Sequence, residues 1–448
     1  MMKSAWLTPA ALCAAAFACL VAGLSGALAE TPVVTWQDPI EVASGEGHKG
    51  PWRQNDSDFR YVDDPSPAIG PDGEIGVVWV DQARHAVLFQ VYDPDGARRF
   101  QTPVDVSRSP GIFSWLPRVA FADDGTDDVY VLWQEIVFSG GSHGGEIFFA
   151  RSGDGGATFD TPVNLTNSLA GEGKGRLTPR RWNNGSLDLA LGPGGALYAA
   201  WTEYEGNLWF ARSDDRGATF GEALGIATFE DGGPARGPSL AVAPDGMIAL
   251  AWTVGEDESA DIRVATSVDG GDTFDRPVIA ADTVGHSDAP KLAFDHNGVL
   301  HLAFAESAGG FYGRYRIAYA RSMDGGREFE VPRSVPKPFD GTIASAAFPS
   351  LALGTNGTVM IMWERYPHYG GRPLGLGYSL LRDGGESFSE AAVVPGAADL
   401  DLGVNGSLQG LLMRKLAVDG DAVAVVNSTF KEGEASHVWL IIGDITGP

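Results

Sequence analysis

Short runs of alternating apolar and polar residues recur along almost the whole chain, broken by turns rich in Gly, Pro and Asp. Side chains that change face at every residue mark a half-buried strand. In Leu240-Ala-Val-Ala-Pro-Asp-Gly246 such a run enters a turn, and Met247–Trp252 leaves it as a second strand with an aromatic near its end. Leu351-Ala-Leu-Gly-Thr-Asn-Gly357 followed by Thr358–Trp363 repeats the pattern. Taking Ile69, Phe121, Leu191, Val242, Phe294, Leu353 and Val418 as equivalent positions, the unit recurs at intervals of 51 to 70 residues. Each unit holds about four short strands, the grammar of a β-propeller blade. Six units are complete. The seventh, from Ser407, runs out after three strands, and Trp36-Gln-Asp-Pro-Ile40 has the pattern of the missing fourth. The expectation is an all-β protein, a β-propeller of seven four-stranded blades with residues 33–43 closing the ring, which hides two open sheet edges. Six blades remain the alternative if the first unit is misread.

A turn motif sits at a fixed place in the unit. Ala-Arg-Ser-Gly-Asp-Gly-Gly-Ala-Thr-Phe at 150–159 returns at 211–220 and 265–274, with looser copies at 320–329 and 379–388 and a decayed one ending in Asp95 and Phe100. Asp154, Asp215 and Asp269 are placed to accept backbone N–H groups within the turn, and Gly156, Gly217 and Gly271 to supply torsions that other residues resist. Their role is structural. The pattern S-x-D-x-G-x-T-F resembles the Asp box, or BNR repeat, of the sialidase (neuraminidase) superfamily, and it covers nearly all of the chain after the leader. That resemblance implies a propeller acting on terminal acidic sugars, with three arginines on the substrate carboxylate, a Tyr–Glu nucleophile pair and an Asp acid/base. The nearest match to the family's first-arginine motif is Phe59-Arg60-Tyr61-Val62, with Pro65 beyond it.

Charge narrows the partners. The chain carries 32 Lys+Arg against 58 Asp+Glu, a formal net charge of -26. A surface so acidic argues against nucleic acid and against anionic lipid. Residues 1–29 read as a secretory leader: Lys3, an apolar run from Ala10 to Leu24, and Ala27-Leu28-Ala29 before Glu30. Cys13 and Cys19 are the two cysteines, and both fall inside it. A lipoprotein reading at Cys19 stays open, with Ala16-Phe17-Ala18 before it. The expected arrangement is a leader at 1–29 and one propeller domain at 30–448, periplasmic or secreted, without disulfides. No later stretch reaches the length of a membrane-spanning helix. Oligomeric state is not legible.

The chemistry is expected on the face opposite the Asp-type turns. There the loops after the second strands open with Asp81, Glu135, Glu203, Glu306 and Glu364. Arg84, Tyr312, Arg314, Tyr315, Arg316, Arg365, Tyr366, His368 and Tyr369 share those loops, and Arg118, Arg176, Arg180, Arg181, Trp182, Arg236 and Lys291 lie in the crossings between blades. Guanidinium groups pair with carboxylates and aromatic rings take sugar faces. The family resemblance then implies Arg118, Arg181 and Arg236 as substrate-carboxylate ligands, Asp81 as acid/base, and Tyr366 as nucleophile with Glu203 as its partner. A non-catalytic propeller binding glycan or protein through the same face is the alternative. Solvated ion pairs would explain many of these loop charges equally well. No motif calls for a cofactor or a metal: the histidines lack ligand spacing, and Gly140-Gly-Ser142-His-Gly144 has no helix after it.

Overall fold

The structure is a computed structural model. It describes residues 33–53, 56–109, 111–139, 142–166, 186–203, 206–255, 260–310, 312–336, 343–354, 357–367, 371–382, 387–405 and 414–446. The chain forms the expected seven-bladed β-propeller. The innermost strands of blades 1 to 7 are Val62–Ile69, Ser114–Phe121, Leu187–Leu191, Ala235–Val242, His286–Phe294, Ser345–Leu353 and Leu416–Asp419. Every blade continues outward as an antiparallel meander. In blade 7 the last strand of the chain, Ala435–Thr446, pairs with two N-terminal strands, Val33–Trp36 and Ile40–Glu46. Trp36 lies opposite Gly443 and Ile40 opposite Leu440. The N-terminus therefore closes the ring as expected, and extends past residue 43 to Glu46. None of the helices among the described residues is long and apolar enough to cross a membrane.

The core lies between blades. Trp79, Trp133, Trp201, Trp252 and Trp363 on the second strands are almost fully buried. Each packs on the preceding blade: Trp133 against Val78 and Val80, Trp201 against Tyr130 and Leu132, Trp363 against Ala303 and Tyr319. Trp79 meets Ala424 and Val426 of blade 7, so the same joint closes the ring. Phe304 serves in blade 5.

The repeated turn is a second joint. Ser213 Oγ donates to Asp215 Oδ1 at 2.8 Å, Thr219 Oγ1 donates to Asp215 Oδ2 at 2.6 Å, and the Gly217 N–H donates to Ser213 Oγ at 2.9 Å. The turns at Asp154 and Asp269 have the same bonds. Part of the copy at 379–388 lies outside the described residues. Gly217 has φ 79°, and a Cβ there would stand 2.5 Å from Phe149 of the preceding blade. Phe149 also meets Phe220 edge-on, ring centroids 5.0 Å apart. Glycine is required both for the torsion and for the contact.

Five innermost strands are interrupted at one place. Asp64, Leu116, Gly237, Ala289 and Phe348 all have φ between 52° and 57°. Each precedes a proline, and at each the register slips. Left-handed torsions are strained for all but the glycine. The slip is a β-bulge, which re-aims the residues that follow. Ser239, Lys291 and Ser350, each directly after its proline, line the central bore.

Removing residues 33–46 takes the outer strands from blade 7 and exposes the edge of Ala435–Thr446. The truncated protein is expected to melt well below the intact one and to aggregate on heating; calorimetry checks this, and an unchanged melting temperature refutes closure by the N-terminus. A second expectation concerns acid. The Asp215 carboxyl is held down at about 2 by the Thr219 hydroxyl and backbone N–H, and Asp269 is lowered in the same way by Thr273. A carboxylate with a depressed folded pKa stabilises the fold above its unfolded value and loses that contribution as pH falls through the folded one. Melting temperature should therefore drop as pH falls from about 4 toward about 2, and Asp215→Asn should flatten part of that drop.

Candidate active site

The five carboxylates that open the second loops are engaged close to home. Asp81 Oδ1 accepts from the Arg84 N–H at 3.1 Å, and burial pushes its carboxyl up. Glu135 accepts from Trp133 Nε1 at 3.0 Å and is likewise raised by burial. Glu203 takes Trp209 Nε1 at 2.8 Å and Asn207 Nδ2 at 2.9 Å. Glu306 pairs with Arg316 at 2.8 Å. Glu364 pairs with Lys415, both buried. Tyr366 ends the second strand of blade 6, Val359–Tyr366; its hydroxyl is buried and has no hydrogen-bond partner among the described residues, and burial drives its pKa up, with Glu364 adding to the shift. No bond among the described residues joins Tyr366 to Glu203, which stands on blade 3.

The arginines have separate surroundings. Arg118, in the inner strand of blade 2, is buried with its Nε 3.7 Å from Asp188. Arg236, at the start of the inner strand of blade 4, has its guanidinium 3.3 Å from Asp288. Arg181 lies outside the described residues, as do Arg176, Arg180, Trp182, His368 and Tyr369. Arg60, from the motif nearest the sialidase pattern, is exposed and pairs with Glu46 and Asp58. Ser142 opens an antiparallel strand rather than a strand-to-helix elbow.

Around Arg236 the structure assembles a group not singled out as a set in the sequence. His286 opens the inner strand of blade 5 and is fully buried. Its Nδ1 lies 2.9 Å from the hydroxyl of Tyr315, and its Nε2 3.4 Å from an Arg236 NH2 group. Asp288 holds that guanidinium, and Thr253 Oγ1 donates to Asp288 at 3.1 Å. Arginine only donates, so Nε2 of a neutral imidazole must accept and the ring proton sits on Nδ1. Nδ1–H then donates to the Tyr315 oxygen and favours negative charge there. A tyrosine oxygen so supported and only half-buried is equipped, as phenolate, to take a proton and return it. His286 escaped notice because it stands alone without ligand spacing; its place at a strand start three residues before a bulge was the available signal. Among the described residues no group of three His, Asp or Glu side chains is set to hold a metal.

No protein-family model matches the sequence, and no curated protein does either. Solved structures share the fold. A protein of unknown function from Dyadobacter fermentans is 16% identical with a TM-score of 0.50, covering 77% of this chain and 98% of that one. A polysaccharide lyase, an ulvan lyase bound to -[GlcA(1-4)Rha3S]-, is 12% identical with a TM-score of 0.53, covering 92% and 96%. A Hadza microbial sialidase is 15% identical at a TM-score of 0.45, covering 82% and 73%. At these identities the likeness of the first two shows a shared fold and nothing further.

The Glu364–Lys415 pair is a test of how the rim is built. Lys415→Met leaves a buried carboxylate without its cation and should cost about 3–5 kcal/mol in urea unfolding. The double variant Glu364→Leu with Lys415→Met should recover much of that loss, because the uncompensated charge goes with it. Equal stability of single and double variants would mean the pair carries no such burden.

Proposed function

We propose that this protein is an exported enzyme acting on an acidic glycan, and that it works where blades 4 and 5 meet the mouth of the bore. The observation that carries this reading is the Tyr315–His286–Arg236 array, with 2.9 Å between the phenol and imidazole. Arg236 meets a uronate carboxylate and spreads the charge that builds on it. The Tyr315 oxygen, acting as the phenolate that the His286 Nδ1–H supports, removes the proton on the carbon beside that carboxylate and becomes the phenol. The electron pair forms a carbon–carbon double bond, the adjacent carbon–oxygen bond to the next sugar breaks, and the departing oxygen takes the proton back from Tyr315. Proton transfer of this kind contributes about 10²–10⁴-fold in rate. The ulvan lyase that shares the fold is bound to a glucuronate-containing saccharide, which agrees with this substrate class. The leader at 1–29 supports export to where such polysaccharides are met.

A second reading keeps the sialidase-like hydrolysis, with Asp81 as acid, Tyr366 as nucleophile, Glu203 as its partner and Arg118, Arg181 and Arg236 on the carboxylate. The raised Asp81 carboxyl favours it, since an acid catalyst must hold its proton near neutral pH. Products separate the two. Incubation with uronate-containing polysaccharides should yield fragments with the ultraviolet absorbance of a conjugated unsaturated uronate. Tyr315→Phe should lower turnover by about a hundredfold or more while binding persists. New reducing ends without that absorbance, or sialic acid release abolished by Tyr366→Phe, favour hydrolysis. Binding without any turnover leaves the non-catalytic propeller.

A further inference from the structure

The bore of the propeller has a chemistry unlike its outside. Each blade contributes an alanine to its wall: Ala68, Ala120, Ala190, Ala241, Ala293, Ala352 and Ala417. One residue further on, Ile69, Phe121, Leu191, Val242, Phe294 and Val418 line the end on the side of the repeated turns. The space inside is about 380 Å³. Its inner end is polar and cationic. Arg414 crosses from blade 7 to blade 3, where it donates to Asp188 Oδ1 at 2.8 Å and to the Leu189 carbonyl at 3.3 Å. Arg118 approaches the same carboxylate from blade 2. Lys291, only 9% exposed, comes from blade 5 and makes no hydrogen bond or ion pair with a described residue. Ser239 and Ser350 flank it on blades 4 and 6. Their oxygens accept from the Leu292 and Lys415 N–H groups, which leaves both hydroxyl protons for an incoming acceptor.

Arg118, Arg414 and Lys291 thus converge on Asp188, with Asp64 acting on Arg118 besides, in a protein of net charge -26. Asp188 is already taken twice over, by Arg414 and by the Leu240 N–H at 2.9 Å. Burial depresses the Lys291 ammonium to about 7, with Asp188 pulling the other way and Arg118 adding to the fall, so the group is under electrostatic stress that an anion relieves.

We propose that the bore is a second binding site, entered from the face of the repeated turns, for a small organic acid. Its carboxylate meets Lys291 and Arg414 and accepts from Ser239 and Ser350, while its apolar body lies against the ring of alanines. The alanines leave room for a flat body, and the apolar rim keeps bulk water from the charged end, where a charge-assisted hydrogen bond is strongest. This site is separate from the Tyr315 array in both location and partners, and it does not depend on that reading.

The test is calorimetric titration of the intact protein with benzoate, its neutral counterpart benzamide, and inorganic phosphate. Benzoate should bind, and benzamide should bind at least about tenfold more weakly, the change expected on losing a charged hydrogen bond. Lys291→Met should weaken benzoate by a similar factor. Ala293→Leu, which narrows the bore without touching a charge, should weaken benzoate and spare phosphate; it also serves if the methionine variant does not fold. Arg236→Ala at the other site should leave benzoate affinity unchanged. The proposal is overturned if wild-type protein does not bind benzoate, if benzamide binds equally well, or if Lys291→Met keeps full affinity. Loss of benzoate binding in Arg236→Ala alone would move the carboxylate site to blades 4 and 5. Phosphate binding as tightly as benzoate, unaffected by Ala293→Leu, would refute the apolar half.

Discussion

The joint between neighbouring blades governs this molecule. A four-stranded blade has two apolar faces and cannot bury either alone. Here the second strands of blades 1 to 6 drive a tryptophan or phenylalanine into the blade before them, and Phe159, Phe220 and Phe274 of the repeated turn dock on the same neighbour's third strand. Truncating a buried aromatic of this size costs about 3–5 kcal/mol. Because the joints are alike, each sets a similar rotation, and the chain returns to its start. Trp79 then meets blade 7 as Trp133 meets blade 1, and the N-terminal strands complete the sheet that receives it. Closure is therefore a consequence of the repeated joint, held in place by the pairing of Val33–Trp36 and Ile40–Glu46 with the last strand.

A ring of seven leaves a bore, and what faces the bore is decided by the bulges. Pro65, Pro117, Pro238, Pro290 and Pro349 each follow a left-handed torsion. The inner strand must abandon its ladder there, where the inner strands of adjacent blades come close and a regular pleat would leave backbone groups crowded. The N–H groups around the bulges find partners in the preceding blade's inner strand: Leu116 on Asp64, Leu240 on Asp188, Leu292 on Ser239. The innermost ring is thus tied by side chain to backbone bonds rather than by sheet pairing. Polar residues are required at these positions for structure, and the same requirement places hydroxyls, a carboxylate and cations around one axis.

The fold was legible because it is periodic. The strand–turn–strand pattern, the S-x-D-x-G-x-T-F turn and the orphan Trp36–Ile40 segment all repeat, and repetition supplies in one sequence what a single strand cannot, namely the register between blades. The site was legible only by loop. Asp81, Glu203 and Tyr366 were correctly placed at the ends of second strands, yet a loop position does not say what a side chain touches. Glu203 faces its own blade's Trp209, and Tyr366 turns its hydroxyl inward. The Tyr315–His286–Arg236 contact joins residues 50 and 29 positions apart across a blade boundary, and no local rule carries that distance. One signal was present and unused. The residue after the inner-strand proline recurs as Ser66, Arg118, Ser239, Lys291 and Ser350, three residues before each anchor, and in blades 4 to 6 that offset marks positions at the bore.

The contrast between the two charged regions explains why they are suited to different tasks. At the mouth, Arg236 has a carboxylate partner in Asp288, itself held by Thr253 and by the Ala289 N–H. Its charge is balanced before any ligand arrives, so the array around it is fixed in orientation, the ordered framework that the proposed uronate chemistry requires. In the bore the charges are not balanced. Asp188 answers Arg118 and Arg414 together, and Lys291 keeps a desolvation penalty that the pull of Asp188 only partly offsets. Such an excess is costly in a packed interior and is sustained because the ring of joints holds the inner strands in place. A balanced cluster positions a reaction, whereas an unbalanced one awaits a counterion, and three cations converging on Asp188 put the bore in the second class.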